Sequence, residues 1–560
     1  NYTRHPQPIY DINSSHQRNL TNRLRESYGN GNTYIWTNTL TYDKKIKDKH
    51  YLNLLAGYTT EQSRNRGLGA IGQNYTIYDL DYLSLYSTPG STANKIVETV
   101  QPGKSTRMSY MFRTNYTLMD RYMFTATMRA DGSSKFGANN KWGYFPSAAL
   151  GWRISEESFL KDVSWLNNLK LRASWGVTGN DKIRDNSAYA LVSQSDEFHA
   201  VIDGKVQPAA GITNAFNPDI KWERNEQKDL GLEMAFLNNK LTAELDLWTR
   251  DTKDLLMLLP VKGGSVGIAP TYTNSGAVRN TGFDFTLGWR ENRKSFKYGA
   301  SFTGSSFKNK VTDWKDTRSV LFADWWIPNQ NNVIEEGKPL GYILGYKTQG
   351  IYRSQADLDN WKAYATQKGK TAYHPAAQVG DPIFQDINGD GTINEADRTD
   401  LGSVFPKFTG SLNLNAEYKG FDLTLDFAGS FGAKILNAMY NFYSQSTNNM
   451  HVDWLDAWSP ANPNGNMPRL VAGSIAMNQS LDLNVFSGDY VKLRSLMFGY
   501  TLPNSLLSKA KINKVRLFFT GSNLLYFTKY KGFTPEIIGG MDANSYPMSG
   551  SAQFGVNVTF

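Results

Sequence analysis

The chain ends in SAQFGVNVTF, a run in which every second residue is apolar. Phe554, Val556, Val558 and Phe560 share one face of an extended strand, and Gln553, Gly555, Asn557 and Thr559 share the other. Period-2 alternation sets one face against apolar surroundings and the other against water. The pattern recurs along the chain. In LKLRASWGVT, Leu169, Leu171, Ala173, Trp175 and Val177 oppose Lys170, Arg172, Ser174 and Thr178. Leu241, Ala243, Leu245 and Leu247 oppose Thr242, Glu244 and Asp246, while Phe283, Phe285, Leu287 and Trp289 oppose Asp284, Thr286 and Arg290. Around Lys419-Gly420, Leu412, Leu414 and Tyr418 are matched by Phe421, Leu423, Leu425 and Phe427. Counting such segments gives about fifteen strands from Thr33 onward and one more expected near Arg18 to Tyr28.

The connections alternate in length. Short turns fall at Asp43 to Lys49, Met119 to Arg121, Asn238-Asn239, Glu291 to Lys294, Lys419-Gly420 and Pro503 to Lys511. A slightly longer one, Ser155 to Asn168, has room for a helical turn. Between them lie long links at roughly 61–105, 132–142, 180–221, 253–276, 309–406, 433–487 and 526–550. Short turns on one rim and long loops on the other are the arrangement of an outer-membrane barrel, short turns periplasmic. That parity brings Phe560 to the periplasmic rim. The fold class expected is all-β, a transmembrane antiparallel β-barrel with about 15–16 strands in this chain. A soluble sandwich also alternates, but loops approaching a hundred residues are unusual there.

Composition agrees. Mean hydropathy is −0.49, and no stretch approaches the ~18 consecutive apolar residues of a spanning helix. The 31 tyrosines and 14 tryptophans suit interfacial girdles and stacking walls. With no cysteine, disulfides, thiolate metal sites and thiol catalysis are excluded. The net charge of +9 is interspersed with acids and forms no basic tract with interleaved aromatics, so nucleic acid is not an expected partner.

Six segments resemble the SusC family of TonB-dependent transporters of Bacteroidetes outer membranes. They are Tyr122 to Leu160, Leu169 to Asn180, Asn217 to Phe236, Asn274 to Trp289, Gly380 to Gly432 and Gly488 to Pro503, in family order. The resemblance implies a barrel of 22 strands closed by an N-terminal plug. No plug, TonB box or signal peptide is recognisable, so residues 1–560 are expected to be the C-terminal part of such a barrel, with the plug and first strands elsewhere. It further implies import of glycans or oligopeptides through the outer-membrane lipid, a SusD-like surface lipoprotein, energy from TonB–ExbB–ExbD, and a dimer of SusC–SusD pairs. The alternatives are a siderophore or vitamin receptor of the wider class, an unplugged 16-stranded porin, or a surface adhesin.

One constellation carries chemistry of its own. Asp386, Asn388, Asp390, Thr392, Asn394 and Asp397 occupy loop positions 1, 3, 5, 7, 9 and 12, with Gly391 at 6. That is the spacing of an EF-hand-type Ca²⁺ loop, with Thr392 offering its carbonyl and Asp397 standing where the longer Glu is usual. A bound Ca²⁺ ordering an extracellular loop is the expectation; a polar Gly-rich turn is the alternative. Two other motifs are decoys. Gly67, Gly69 and Gly72 spell a dinucleotide fingerprint after a polar run, and Gly263, Ser265 and Gly267 spell a nucleophile elbow with no helix to follow. No active site is expected. Trp325, Trp326, Tyr440, Tyr443, Trp454 and Trp458 are candidate substrate-stacking residues in the long loops, loop packing being the alternative.

Overall fold

The computed structural model describes residues 2–11, 18–19, 21–90, 94–212, 215–259, 271–293, 295–315, 319–322, 331–440, 451–470, 481–508, 512–542 and 545–560. Sixteen strands form one sheet in sequence order, every neighbouring pair antiparallel. They begin with β1 (Tyr2–Gln7), β2 (Arg23–Ile46), β3 (His50–Gln73), β4 (Lys95–Leu118), β5 (Tyr122–Ser133) and β6 (Trp142–Arg153). Then come β7 (Leu166–Asn180), β8 (Glu223–Phe236), β9 (Leu241–Lys253), β10 (Ala277–Arg293) and β11 (Phe296–Asp313). The last five are β12 (Phe408–Tyr418), β13 (Phe421–Phe431), β14 (Tyr490–Thr501), β15 (Lys514–Thr528) and β16 (Ser551–Thr559). Among the described residues β1 pairs only with β2, and β16 only with β15, so the sheet does not close on itself.

The tight turns lie where expected. Lys47-Asp48 and Met119-Asp120 both take left-handed backbone at two successive positions, the pattern that lets a two-residue hairpin follow the strand twist. The link at 155–168 carries one 3₁₀ turn, Ile154–Glu156, and yields Leu166 to β7.

Two expectations need correction. Among the described residues the strand expected near Arg18 to Tyr28 divides: Arg18–Asn19 pairs with Tyr10–Asp11, residues from Arg23 are the upper part of β2, and the sixteenth strand of the large sheet is Tyr2–Gln7. Pro6 sits in that strand opposite Leu24, a position compatible with the edge of the sheet. The link read as 61–105 is only 74–94, because β2, β3 and β4 each run 24 residues. At ~3.3 Å per residue that is about 80 Å, whereas 9–11 tilted residues cross a bilayer. The hairpins therefore continue beyond the membrane. Out there neither face meets lipid, so EQSRNRGLGAIG pairs as strand without alternating.

Register shows which face meets what. Leu169, Met234, Ala243, Leu287, Phe302, Leu412 and Phe427 lie directly opposite one another across seven adjacent strands, β7 to β13. On the other face the corresponding row is Arg172, Gly231, Asp246, Asp284, Ser305, Thr409 and Ser430. A one-residue slip would exchange the two rows, so the pattern fixes the register. Leu247, Phe283 and Leu287 on the apolar face are exposed, as a lipid-facing belt requires. The C-terminal strand joins the same belt: Phe554, Val556 and Val558 lie opposite Phe519, Leu517 and Val515, with Phe554 and Phe519 ring centroids 5.0 Å apart. Phe560 follows as an exposed last residue.

The buried apolar cores of the described residues lie largely among the long loops. One gathers Tyr346, Tyr352, Ala365, Tyr373, Phe384 and Leu481 around the helix Gln355–Gln367, which Ser354 and Asp357 cap reciprocally. A second packs Phe136, Phe145, Val177, Ile183, Ile220 and Trp222.

Candidate functional site

The inward face of the sheet is a charged wall. Arg172 on β7 sits at its centre, with Nη2 2.7 Å from Asp246 Oδ1, Nε 2.9 Å from Glu233 Oε1 and Nη1 3.4 Å from Asp229 Oδ1. Lys170 adds a contact of 3.2 Å to the same Glu233. To reach Asp246 the guanidinium must pass over β8, and the residue beneath it is Gly231. A Cβ there would lie 2.6 Å from Arg172 Cζ and 2.5 Å from Asp246 Oδ1. The device recurs at the other end of the sheet. Arg516 on β15 reaches Asp422 on β13 at 2.5 and 3.0 Å, passing over Gly499 on β14. Long polar side chains spanning three strands are affordable only where the middle strand lends no side chain. Sequence reading placed Arg172 on the polar face but singled out neither Arg516 nor these glycines, whose role depends on cross-strand register.

At the extracellular rim the 386–397 segment folds turn by turn. Asp386 accepts from the backbone N–H of Gly389 (2.7 Å) and of Gly391 (2.8 Å), Asn388 from Asp390 (2.9 Å), and Asp390 from Thr392 (2.9 Å). Gly389 and Gly391 supply the positive φ values, 72° and 87°, that the turns need. The fully buried Asp397 accepts from Ile387 N (3.0 Å) and Asn394 N (2.8 Å), tying the two ends of the loop together. Asn394 caps the short turn Glu395–Asp397 by accepting from Ala396 N. Tyr373 is the pillar: its hydroxyl donates to Phe384 O (2.7 Å) and accepts from Asp386 N (3.1 Å), while its carbonyl accepts from Ile393 N (2.7 Å). The Thr392 N–H and nearby Lys370 hold the Asp390 carboxyl below its ordinary range, whereas burial raises the Tyr373 phenol.

This geometry can be weighed against a cation. The hydrogen bond from position 6 to position 1, Gly391 to Asp386, wraps the loop as a Ca²⁺ loop wraps. Yet among the described residues no three His, Asp or Glu side chains gather into a metal-holding group. Asp397 in particular spends both oxygens on backbone donors rather than facing Asp386 and Asp390.

The aromatic candidates part company. Trp325, Trp326 and Tyr443 lie outside the described residues. Tyr440 and Trp454 are buried in a knot between loops: Tyr440 Oη donates to Asp453 Oδ2 (2.5 Å), Trp454 Nε1 donates to Tyr440 O (2.8 Å), and Lys531 closes on Asp453 from the last long loop. Phe486 meets the Tyr440 ring edge-on at 4.9 Å. Trp458 is half-buried against Gly380, where a Cβ would come within 2.3 Å of its ring. The rings of Tyr440 and Trp454 thus do packing work in this structure. The Gly67–Gly72 fingerprint lies inside β3, paired with Leu24 to Gly29 of β2, with no helix after it. The Gly263–Gly267 motif is outside the described residues.

An antiparallel sheet this wide, apolar outside and charged within, with tight turns at one rim and folded loops at the other, is the wall of an outer-membrane β-barrel. Residues 1–380 match the family model described as TonB dependent receptor-like, beta-barrel. The chain belongs to that TonB-dependent receptor β-barrel family. It is 33% identical to TonB-dependent receptor P3 of Formosa agariphila over 564 residues, covering 97% of this chain and 53% of that protein. With TonB-dependent receptor SusC of Bacteroides thetaiotaomicron it shares 31% over 476 residues, 83% of this chain and 44% of that one. Among solved structures, the RagAB peptide transporter covers the whole chain with a TM-score of 0.83 at 25% identity, the match spanning 58% of that chain. The chain spans about half the length of the relatives it matches. Those relatives are receptors and transporters rather than enzymes.

Proposed function

We propose that this chain forms sixteen of the strands of a SusC-like importer that moves oligopeptides or glycans across the outer membrane with a SusD-like lipoprotein and TonB–ExbB–ExbD. The observation that carries this reading is the open sheet itself. Its charged inner wall belongs to a wide wet lumen, and its two unpaired edges in lipid would leave backbone groups without partners, at several kcal/mol each. Further strands and a plug from the rest of the protein would close it, making the 22-stranded cylinder that the resemblance implies. The likeness to RagAB and to SusC supports an import role. A dimer of importer–lipoprotein pairs is part of the same proposal and rests on the SusC resemblance alone.

The test is uptake. Cells carrying the complete gene should accumulate a fluorescent oligopeptide or maltooligosaccharide, and should stop when either tonB or the neighbouring lipoprotein gene is deleted. Uptake that survives loss of tonB, together with steady conductance in planar bilayers, would mark an unplugged porin instead.

The 386–397 loop, in this reading, takes up Ca²⁺ through Asp386, Asn388, Asp390, the Thr392 carbonyl and Asn394, with Asp397 turning inward from its backbone donors. Its position-6 hydrogen bond and oxygen spacing support this. Trp361, Tyr364 and Tyr373 stand beside the loop, so Tb³⁺ should give sensitised emission that Ca²⁺ displaces and that Asp386→Asn abolishes. No emission from the unaltered protein would leave the loop a self-sufficient turn.

A further inference from the structure

Lower on the wall the charges point inward; near the extracellular end of β8 to β11 they also point outward. Above the outward row Leu230, Leu247, Phe283 and Ser306, the next residues on the same face are Lys228, Thr249, Thr281 and Lys308. The row after that is Glu226, Asp251, Arg279 and Lys310, and the next begins with Arg224 and Lys253. No bulge interrupts these ladders up to that level, so the face is the one that carries the lipid belt below. All six cations are exposed. Only two acids accompany them in these rows. Asp251 chelates Arg279 at 2.6 and 3.1 Å, and Glu226 holds Lys253 at 3.3 Å and Lys228 at 3.7 Å. Asp313 stands one step further up, past the bulge opposite Ala277. Among the described residues Arg224, Lys308 and Lys310 have no acidic partner. On the inward face at the same height stand Asn225, Thr252, Asn280 and Asn309, bonded to one another in pairs, and a single cation, Arg250, bonded to Gln227.

Cations on a lipid-facing surface are costly unless an anion meets them there. Two residues per row at ~3.3 Å each, tilted, put the first row about 5 Å above the apolar band, within the ~5–8 Å interfacial layer of one leaflet, and the third about 15 Å above it, level with the sugars of a bulky headgroup. We propose that this outward patch binds the phosphate groups of a phosphorylated glycolipid of the outer leaflet, whose acyl chains lie against Leu230, Leu247 and Phe283 beneath. The proposal rests on the outer-membrane reading and adds a ligand to its outer wall. Charge complementarity and continuity with the acyl-facing belt single out a lipid rather than an acidic protein.

The complete protein, purified from outer membranes, is delipidated in detergent and titrated with lipid A and with the same lipid A stripped of phosphate, binding being read by native mass spectrometry. The unaltered protein should retain the phosphorylated form preferentially. Arg224→Gln/Lys308→Gln/Lys310→Gln should weaken it by about a hundredfold at low salt, near fivefold per cation, whereas the inward Arg250→Gln should leave it unchanged. Equal binding of the stripped lipid, or an unaffected triple variant, overturns the proposal. So does an acidic protein that co-purifies through this patch while lipid A binding is untouched. Failure of the unaltered protein to insert into liposomes would instead overturn the barrel reading on which it stands.

Discussion

Replacing Gly231 by Ala should break the crossing between Arg172 and Asp246 without touching either partner. The added Cβ would sit 2.5 Å from Asp246 Oδ1 and 2.6 Å from Arg172 Cζ, closer than carbon tolerates, with the strand backbone fixed by thirteen paired residues on one side. The guanidinium must lift away. Charge-assisted hydrogen bonds contribute roughly 1.5–3 kcal/mol. Arg172 is about one-third exposed and Asp246 one-fifth, so screening brings the loss to about 1–2 kcal/mol. Against this, Ala restricts the unfolded chain relative to Gly by about 0.5 kcal/mol. A net destabilisation of about 1 kcal/mol is expected. The assay is urea unfolding of the complete protein in lipid vesicles, followed by tryptophan fluorescence, for Gly231→Ala, Arg172→Ala and both together. With Arg172 gone, the alanine should cost nothing or stabilise slightly, a coupling of about 1–2 kcal/mol. An equal cost in both backgrounds would refute the idea that glycine is there to let the arginine pass.

The same reasoning applies at Gly499: an alanine would meet Arg516 Nη2 at 2.5 Å, and a double-mutant cycle with Arg516→Ala should show coupling of the same sign. Asp453 is held below the usual carboxylate range first by Lys531 and then by Tyr440. A depressed folded value means its stabilisation is full above the unfolded value near ~3.9 and is lost as pH falls through the lower folded value. Exchange protection around Tyr440 and Trp454, corrected for intrinsic rates, should therefore be equal at pH 7 and pH 5, and collapse only below about pH 4; Asp453→Asn should abolish that acid transition. Replacing Phe554 and Phe560 together by Ser removes two exposed aromatics from the terminal lipid face, and the amount of heat-modifiable protein in the outer membrane should fall severalfold.

Much of the barrel was legible because lipid on one side and water on the other impose a strict period of two, and because hairpin chemistry marks the turns at Lys47-Asp48, Met119-Asp120 and Lys419-Gly420. Legibility ended where the lipid ended. Residues 62–73 pair as strand with no alternation to announce them, the strand expected near Arg18 to Tyr28 is the start of a much longer one from Arg23, and Tyr2–Gln7 lies hidden because YTRHPQ neither alternates nor avoids proline. The loop cores were illegible for a related reason: Tyr346, Tyr373 and Phe384 are drawn together by folding across separate stretches, with no periodicity of their own. That is also why the sequence leaves stacking and loop packing both open for Tyr440 and Trp454, which are buried among the loops. The 386–397 loop was the opposite case, a local spacing whose turns formed in order, although Asp397 ended on backbone donors that spacing alone does not reveal.

The chain has no cysteine, so single cysteines can be placed along β9 at positions 243 to 247 without background. A bimane label at each, in vesicles containing brominated lipid and then a water-soluble quencher, reads which face meets acyl chains. Positions 243, 245 and 247 should be quenched by the lipid and 244 and 246 by the aqueous agent. The reverse alternation, or none, would contradict a barrel whose leucine face lies in the membrane and whose Arg172–Asp246 face lines the lumen.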